Sequence, residues 1–309
     1  MKDGPATICV TGGTGFIGRH VVARLVERGD RAVRVLTRGE PSGVPAAATV
    51  LAGDLRDAGA VRRFVPRGAT VINLAYAGGA APAVNLAMAD NLAAAAIAAG
   101  ARQLVHCSTA VVAGRAAEHT IDESTPCVPA PGYQQVKLQI EQRLQLRLEG
   151  ACPLTILRPT AVFGRGGANL CSTIDALRRR PWLLGALKNA LLAERRTHLV
   201  CVENVVAAIE LLIDRHLAGT FIVSDDHSAD NDHGHVAAIV ADELGMRPFP
   251  RLPLPFRDAA VPAVLRLAGR ADSDPRRIYS SRKLRQHGYA PALELGEGIR
   301  RFVRGCVRG

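Results

Sequence analysis

Residues 6–18 read Ala6-Thr7-Ile8-Cys9-Val10-Thr11-Gly12-Gly13-Thr14-Gly15-Phe16-Ile17-Gly18. A short aliphatic run enters a glycine cluster and leaves it as an amphipathic pattern. A strand, a tight turn and a helix are therefore predicted in that order. Gly12, Gly15 and Gly18 recur at every third position. A tight turn, close backbone approach to a phosphate, and close packing of helix on strand each exclude a Cβ. The helix start at Phe16 and Ile17 offers free N–H groups and a positive dipole end to a pyrophosphate. A lone glycine motif is weak evidence, but here it stands between a first strand and a first helix, which is the context it requires. Gly12, Gly15, Phe16, Ile17 and Gly18 are thus expected to hold a dinucleotide.

The same alternation continues along the chain. Strands are predicted at 6–11, 32–37, 49–52, 70–74, 103–108 and 154–157, and helices at 16–29, 57–65, 83–99 and 133–149. Strands that are continuous apolar runs, separated by helices, make βαβ units in a parallel sheet covered on both faces. The fold class is α/β, a doubly wound parallel sheet. After Pro159 the pattern loosens. A loop at 164–167 and a helix near 170–179 precede a strand at 197–202, a helix at 203–214 and a further strand at 220–224. The run Arg247–Phe256 holds four prolines and cannot be regular structure. We expect a dinucleotide domain over 1–165, with 198–225 returning to it, and a smaller mixed α/β substrate-binding region from 166–197 and 226–309.

The end of the second strand sets the expected cofactor. A carboxylate there would hydrogen-bond the adenosine ribose 2′-OH and select NAD. The sequence has Val35-Leu36-Thr37-Arg38 instead. Arg38 cannot accept from a hydroxyl but can clamp a 2′-phosphate, so NADP(H) is favoured over NAD(H). Arg19 could join it. Asp54 and Leu55, after the third strand, are placed against the adenine, and Asp54 could equally cap the next helix.

Composition narrows the field. Hydrophobic residues make up 48% of the 309 residues, which excludes global disorder. Aromatics are 4%, too few for a stacking platform on single-stranded nucleic acid. The net charge of +11 suits an anionic partner, but no nucleic-acid motif accompanies it. A phosphorylated small molecule is the expected partner, without nucleic acid. The longest apolar stretch is broken by Gly78, Gly79, Pro82, Asn85, Asp90 and Asn91, so no membrane insertion is expected. The seven cysteines are scattered, without a Cys-x-x-Cys pair. Together with the lack of a signal-peptide pattern, this predicts a reducing cytoplasm with no disulfide framework and no zinc cluster. His227, Asp230, Asp232, His233 and His235 cluster in sequence, yet several would point apart on a helix, and no metal is expected.

Tyr133-Gln134-Gln135-Val136-Lys137 places a phenol and an ammonium on one helical face. A phenol with a pKa of about 10 is a poor base at neutral pH. A nearby cation lowers that value, so Lys137 is expected to activate Tyr133 as acid and base at an alcohol or ketone oxygen. Ser108-Thr109 ends a strand one βα unit upstream, at the ligand-binding edge of such sheets.

Here the chain resembles a family, the extended short-chain dehydrogenase/reductases of the NAD-dependent epimerase/dehydratase type, whose sheet is Rossmann-type. The matching pieces are Thr11–Gly18, Gly53-Asp54-Leu55, Asn73-Leu74-Ala75, Asn91, Ser108-Thr109 with Gly114, Tyr133 with Lys137, Leu157-Arg158-Pro159 with Phe163-Gly164, and His198–Val205. They come in the family's order and cover nearly the whole chain. The resemblance implies Tyr133 as acid/base, Lys137 on the nicotinamide ribose, and Thr109 hydrogen-bonding the reacting oxygen. It places Ala75 at the cofactor. It also implies a nucleotide-sugar pocket in the C-terminal part, and it is compatible with a homodimer.

Departures from the family pattern narrow the reaction. Sugar dehydratases of this type carry Asp-Glu after the threonine, where this chain has Ala110-Val111, so dehydration is disfavoured. The tyrosine usual before Gly114 is Ala113. Arg165, Asn169, Arg196 and Arg277 are the candidates for the sugar-nucleotide diphosphate. The expected activity is hydride transfer at C4 of a nucleotide-linked sugar. Ketoreduction is favoured, 4-epimerisation is the alternative, and a non-catalytic NADP-sensing protein is a third class.

Overall fold

The computed structural model describes residues 6–179, 182–249 and 274–308. The proline-rich run lies outside the described residues from position 250 onward. In chain order the elements are β1 (Thr7–Thr11), α1 (Phe16–Arg28), β2 (Ala32–Thr37), β3 (Thr49–Ala52), α2 (Ala58–Phe64), β4 (Thr70–Asn73), α3 (Pro82–Ala98) and β5 (Gln103–Cys107). Then come β6 (Thr120–Ile121), α4 (Tyr133–Leu148), β7 (Leu154–Pro159), β8 (Ala161–Phe163), α5 (Cys171–Arg179), α6 (Trp182–Leu192), β9 (Leu199–Cys201) and α7 (Val202–Asp214). The last are β10 (Gly219–Val223), α8 (His233–Glu243), β11 (Ile278–Tyr279), α9 (Arg282–Gln286) and α10 (Leu295–Arg308).

Seven strands form one parallel sheet in the order β10-β7-β5-β4-β1-β2-β3. Alternate residues of each strand serve opposite faces. Ile8, Val10, Val33, Val35, Ile72, Val105 and Leu157 pack with α1 and α7, while Cys9, Leu36, Val71 and Leu104 pack with α2, α3 and α4. Both faces are covered, so the strands are mostly apolar, and their polar side chains, such as Thr11, Asn73 and His106, are buried with partners. The helix ends are built locally. Gly29, at φ 67°, returns its N–H to Leu25 O and closes α1. Asp57, not Asp54, caps α2 by accepting from Gly59 N and Ala60 N.

The chain runs outward in both directions from the β1–β4 pair, so the strand order reverses there and a crevice opens at the carboxyl ends. The predicted strand at 197–202 is shorter than expected, because His198 takes a positive φ of 54° before β9 begins. Two small ladders lie beyond the main sheet, β8 with β9 and β6 with β11. A third core cluster, including Phe163, Ile174, Val240, Ile299 and Phe302, joins α5, α8 and α10.

Candidate active site

The glycine turn is tight for reasons that can be stated atom by atom. Gly12 has φ 70°, and a Cβ there would stand 2.8 Å from Leu74 C and Ala75 N. A Cβ on Gly18 would stand 2.0 Å from Gly12 O, so α1 can lie against the turn only without one. Gly15 starts α1 with no side-chain cap, leaving the first N–H groups of the helix to a ligand. The neighbouring strand ends are locked by a buried polar chain. Thr11 Oγ1 donates to Asn73 Oδ1 at 2.7 Å. Asn73 Nδ2 donates to His106 Nδ1 at 3.1 Å. Burial holds His106 well below the usual imidazole range, so it stays neutral and can accept that bond.

A cleft of about 500 Å³ opens at the switch point. Gly12, Gly15, Arg38, Asp54, Leu55 and Ala75 line it. Phe16 and Ile17 form the start of α1, where the Phe16 ring stands beside Gly167. Arg19, raised as a companion of Arg38, lies instead against Gly166. Asp54 accepts from Arg56 Nε at 3.0 Å and Nη2 at 2.7 Å. That bond holds its carboxyl below the usual range. Glu40, Arg56 and Tyr76 also line the cleft. Sequence reading passed over them because they belong to no repeated spacing.

The glycine cradle, the uncapped helix and the cleft fit a dinucleotide. The acid–base candidates stand after the adjoining strand β5 and on helix α4. Thr109 follows β5, is buried, and accepts from Val111 N at 3.4 Å. Tyr133 is the first residue of α4, after Gly132 at φ 89°. It is 49% exposed and lies within hydrogen-bonding reach of Thr109. Lys137 is 3% exposed, and its Nζ donates to Cys107 O at 2.8 Å.

One electrostatic expectation is corrected. From the spacing alone Lys137 is expected to lower the phenol, whereas burial raises Tyr133 above the usual tyrosine range. Burial likewise lowers Lys137, so desolvation pushes both groups toward their neutral forms.

The four diphosphate candidates are scattered in role. Arg165 is exposed, and its carbonyl accepts from His20 Nε2 at 2.9 Å. Asn169 Nδ2 donates to Val162 O at 2.7 Å. Arg196 Nη1 donates to Ser228 O at 3.0 Å. Arg277 is 6% exposed, with Nη1 on Gly114 O at 2.8 Å and Nη2 on Ala116 O. The buried guanidinium of Arg277 staples β11 to the turn after Thr109. Ala113 sits in the same core cluster as Ile121, Ile222 and Tyr279. Sequence reading also missed the buried Asp226, which accepts from Tyr279 N and Asn231 Nδ2 and pairs with His198 Nδ1 at 2.7 Å. Within the histidine–aspartate cluster, Asp232 caps α8 and pairs with His235. Among the described residues no group of three His, Cys, Asp or Glu side chains is placed to hold a metal. Nor is any described helix long and apolar enough to cross a membrane.

A doubly wound sheet with a glycine-lined cleft at its switch point defines a dinucleotide-binding α/β protein. More particularly, residues 8–221 match the model of the NAD dependent epimerase/dehydratase family, and the chain belongs to that family, of the extended short-chain dehydrogenase/reductase type. The UDP-glucose 4-epimerase of Azospirillum brasilense is 31% identical over 151 residues, 45% of this chain and 43% of that one. The Streptomyces lividans UDP-glucose 4-epimerase is 33% identical over 150 residues, 44% and 45% of the two chains. The match thus spans less than half the length of either curated relative. Among solved structures, the Bordetella bronchiseptica enzyme WbmG in complex with NAD has a TM-score of 0.74 at 22% identity, covering 99% of this chain and 96% of that chain. The Thermus thermophilus UDP-glucose 4-epimerase complex with NAD has a TM-score of 0.71 at 25% identity, covering 96% and 98%.

Proposed function

We propose that the protein transfers hydride at C4 of a nucleotide-linked sugar, with Tyr133 as the acid/base. The observation that carries this reading is the placement of Thr109, Tyr133 and Lys137 at the carboxyl edge, one strand from the cleft behind the glycine turn. The dinucleotide unit is assigned to 1–165 with 198–225, and the sugar-nucleotide region to 166–197 with 226–309. Support for that division is that β10 extends the main sheet while α5, α8 and α10 share a separate core.

A bound nicotinamide supplies the hydride acceptor and donor. The chain's own work is binding and proton handling. Gly12, Gly15 and the start of α1 hold the pyrophosphate, Ala75 and Leu55 wall the cleft, and Arg38 meets a 2′-phosphate. Thr109 orients the reacting oxygen. A phenol is protonated at neutral pH with an ordinary pKa of about 10, and burial raises Tyr133 further, which suits protonation of the oxygen formed on reducing a ketone. In the reverse direction the same oxygen accepts the alcohol proton. The curated relatives' names favour 4-epimerisation as the first reading. Net 4-ketoreduction is the second, favoured by Arg38 and the NADP(H) preference it carries.

Incubation with UDP-glucose, UDP-galactose and a UDP-4-keto-6-deoxyhexose, followed by cofactor absorbance and product stereochemistry, decides between them. Epimerised hexose without net cofactor change establishes the first reading, and stoichiometric cofactor oxidation with the ketosugar the second. Tyr133→Phe keeps the ring and is expected to lower turnover by about 10²–10⁴-fold with cofactor affinity nearly unchanged. Lys137→Ala is expected to lower both. Near-parental turnover by Tyr133→Phe would remove the acid–base role, and saturable NADP(H) binding without turnover of any of the three sugars would point to a sensor.

A further inference from the structure

Tyr76 is the residue at which the cofactor cleft and the acid–base pair meet. It lines the cleft between Ala75 and Ala77. Its ring also meets the Tyr133 ring edge-on, with centroids 5.3 Å apart and planes at 89°. The Lys137 Nζ stands over the same ring, 5.4 Å from its centroid. Edge-to-face rings and a cation over an aromatic face are both attractive geometries.

The backbone around this ring is fixed on both sides. Ala75 N donates to Asn73 Oδ1 at 3.3 Å, which ties the loop to the buried chain across the strand ends. On the far side, Ala77 N donates to Asn85 Oδ1 at 2.9 Å, and Asn85 Nδ2 donates back to Ala77 O at 3.1 Å. Asn85 is 3% exposed, a buried amide on α3 spent on this loop. Tyr133, by contrast, is half-exposed, opens its helix after a left-handed glycine, and gains no side-chain cap there. Its ring meets the Tyr76 ring edge-on, and its hydroxyl lies within hydrogen-bonding reach of Thr109. The Lys137 Nζ donates to Cys107 O and stands over the Tyr76 face.

We propose that Tyr76 is a positioning residue of the acid–base pair, its ring holding the Tyr133 phenol and the Lys137 ammonium in register at the cleft. The inference rests on the reading of Tyr133 and Lys137 given above and extends it to a residue outside the family motifs. Its functional part is the ring, not the hydroxyl.

The test compares Tyr76→Phe and Tyr76→Leu, each alone and combined with Tyr133→Phe, using UDP-glucose and NAD(H) or NADP(H) as probes. Tyr76→Phe is expected to stay within about twofold of the parent. Tyr76→Leu is expected to lose about tenfold in kcat, with KM and cofactor affinity within about threefold. In the Tyr133→Phe background the leucine change is expected to add almost nothing, because the group it positions is gone. If the leucine variant does not fold, Tyr76→Gln takes its place.

A second readout needs no substrate. In the parent, the Lys137 ε-methylene NMR signal, identified by its loss in Lys137→Ala, is expected to carry a ring-current shift. That shift should persist in Tyr76→Phe and vanish in Tyr76→Leu. An unshifted parental signal overturns the inference, and so does a Tyr76→Phe variant as impaired as Tyr76→Leu. A fully active Tyr76→Leu beside an inactive Tyr133→Phe overturns this inference alone. Full activity of Tyr133→Phe overturns the acid–base reading and this one with it.

Discussion

On the β1–β2–β3 side of the sheet, the ligand-facing wall is made by short turns, each contiguous with the strand it follows. Gly12–Gly15, Thr37–Glu40 and Gly53–Arg56 line the cleft directly after β1, β2 and β3. On the β5–β7–β10 side, the wall is held by segments far apart in sequence. Arg277 reaches Gly114 O across 163 positions. Glu123 accepts from Ile222 N across 99 positions, covering the open edge of β10. Tyr279 N reaches Asp226 across 53 positions. The first side is built mostly from turns contiguous with their own strands, whereas the second is tied together by bonds to the C-terminal part. A shared fold thus keeps one binding wall local and leaves the other to whatever the distant segments bring.

The comparison is broken most forcefully at Arg277. Its guanidinium is buried and spends both terminal nitrogens on backbone carbonyls beyond Thr109. Hydrogen bonds to a charged group are each worth about 1.5–3 kcal/mol. Arg277→Met keeps much of the volume and drops both bonds, and is expected to cost about 3 kcal/mol of stability, read by urea unfolding. Turnover should fall with it while cofactor affinity holds, since the glycine side does not use this staple. Equal losses in turnover and cofactor affinity would mean the two walls are one unit.

That difference also explains what could be read from the chain. The glycine turn, the positions of Arg38 and Asp54 after their strands, and the strand–helix alternation were legible because each is local, carried by residues close in sequence. The Tyr133–Lys137 spacing was legible for the same reason. The state of that pair was not, because burial is a property of the assembled molecule and it reversed the expected direction for the phenol. Tyr76, Glu123, the His198–Asp226 pair and the work of Arg277 are contacts between remote segments, and no spacing rule announces them. The arginines proposed for the diphosphate show the other side of this. Composition finds the charge, but not whether a guanidinium faces a ligand or a carbonyl.

Asp225 offers a second, smaller way to sharpen the contrast. It belongs to the remotely built side, where its Oδ2 accepts from Asn204 Nδ2 at 2.9 Å and its Oδ1 is buried without a partner. Burial pushes its carboxyl up to about 6 from the ordinary 3.8. A folded-state value above the unfolded one means the folded protein binds the proton more tightly. Stability from this group is therefore complete below about 4 and is lost as pH rises through about 6. Asp225→Asn is expected to raise stability at pH 7.5 by about 2 kcal/mol and to leave pH 3.5 unchanged. Thermal melts across that range would show the parent losing, between the two values, what the variant keeps. Identical profiles would mean Asp225 stays ionised at no cost, held by Asn204 and the Cys201 N–H.

The smallest expected effect lies on the local side, at Arg38. It is exposed at the end of β2 and lines the cleft with Glu40, Asp54 and Arg56. Two opposite readings compete there. Glu40 could accept from a ribose 2′-OH and favour NAD(H), and Arg38 could clamp a 2′-phosphate and favour NADP(H). Asp54 does not decide between them, because its carboxylate is held by the two-pronged contact with Arg56. Arg38→Ala is expected to weaken NADP(H) by about tenfold and to leave NAD(H) within about twofold, since an exposed charge-assisted contact gives the low end of its range. Raised salt should shrink the parental preference in the same direction, as screening acts on the phosphate contact and not on a hydroxyl bond. Titration of both cofactors into parent and variant measures this. Tighter parental binding of NAD(H), unchanged by Arg38→Ala and weakened by Glu40→Gln, would move the selecting residue two positions along the same turn. The wall would remain local, with its preference reversed.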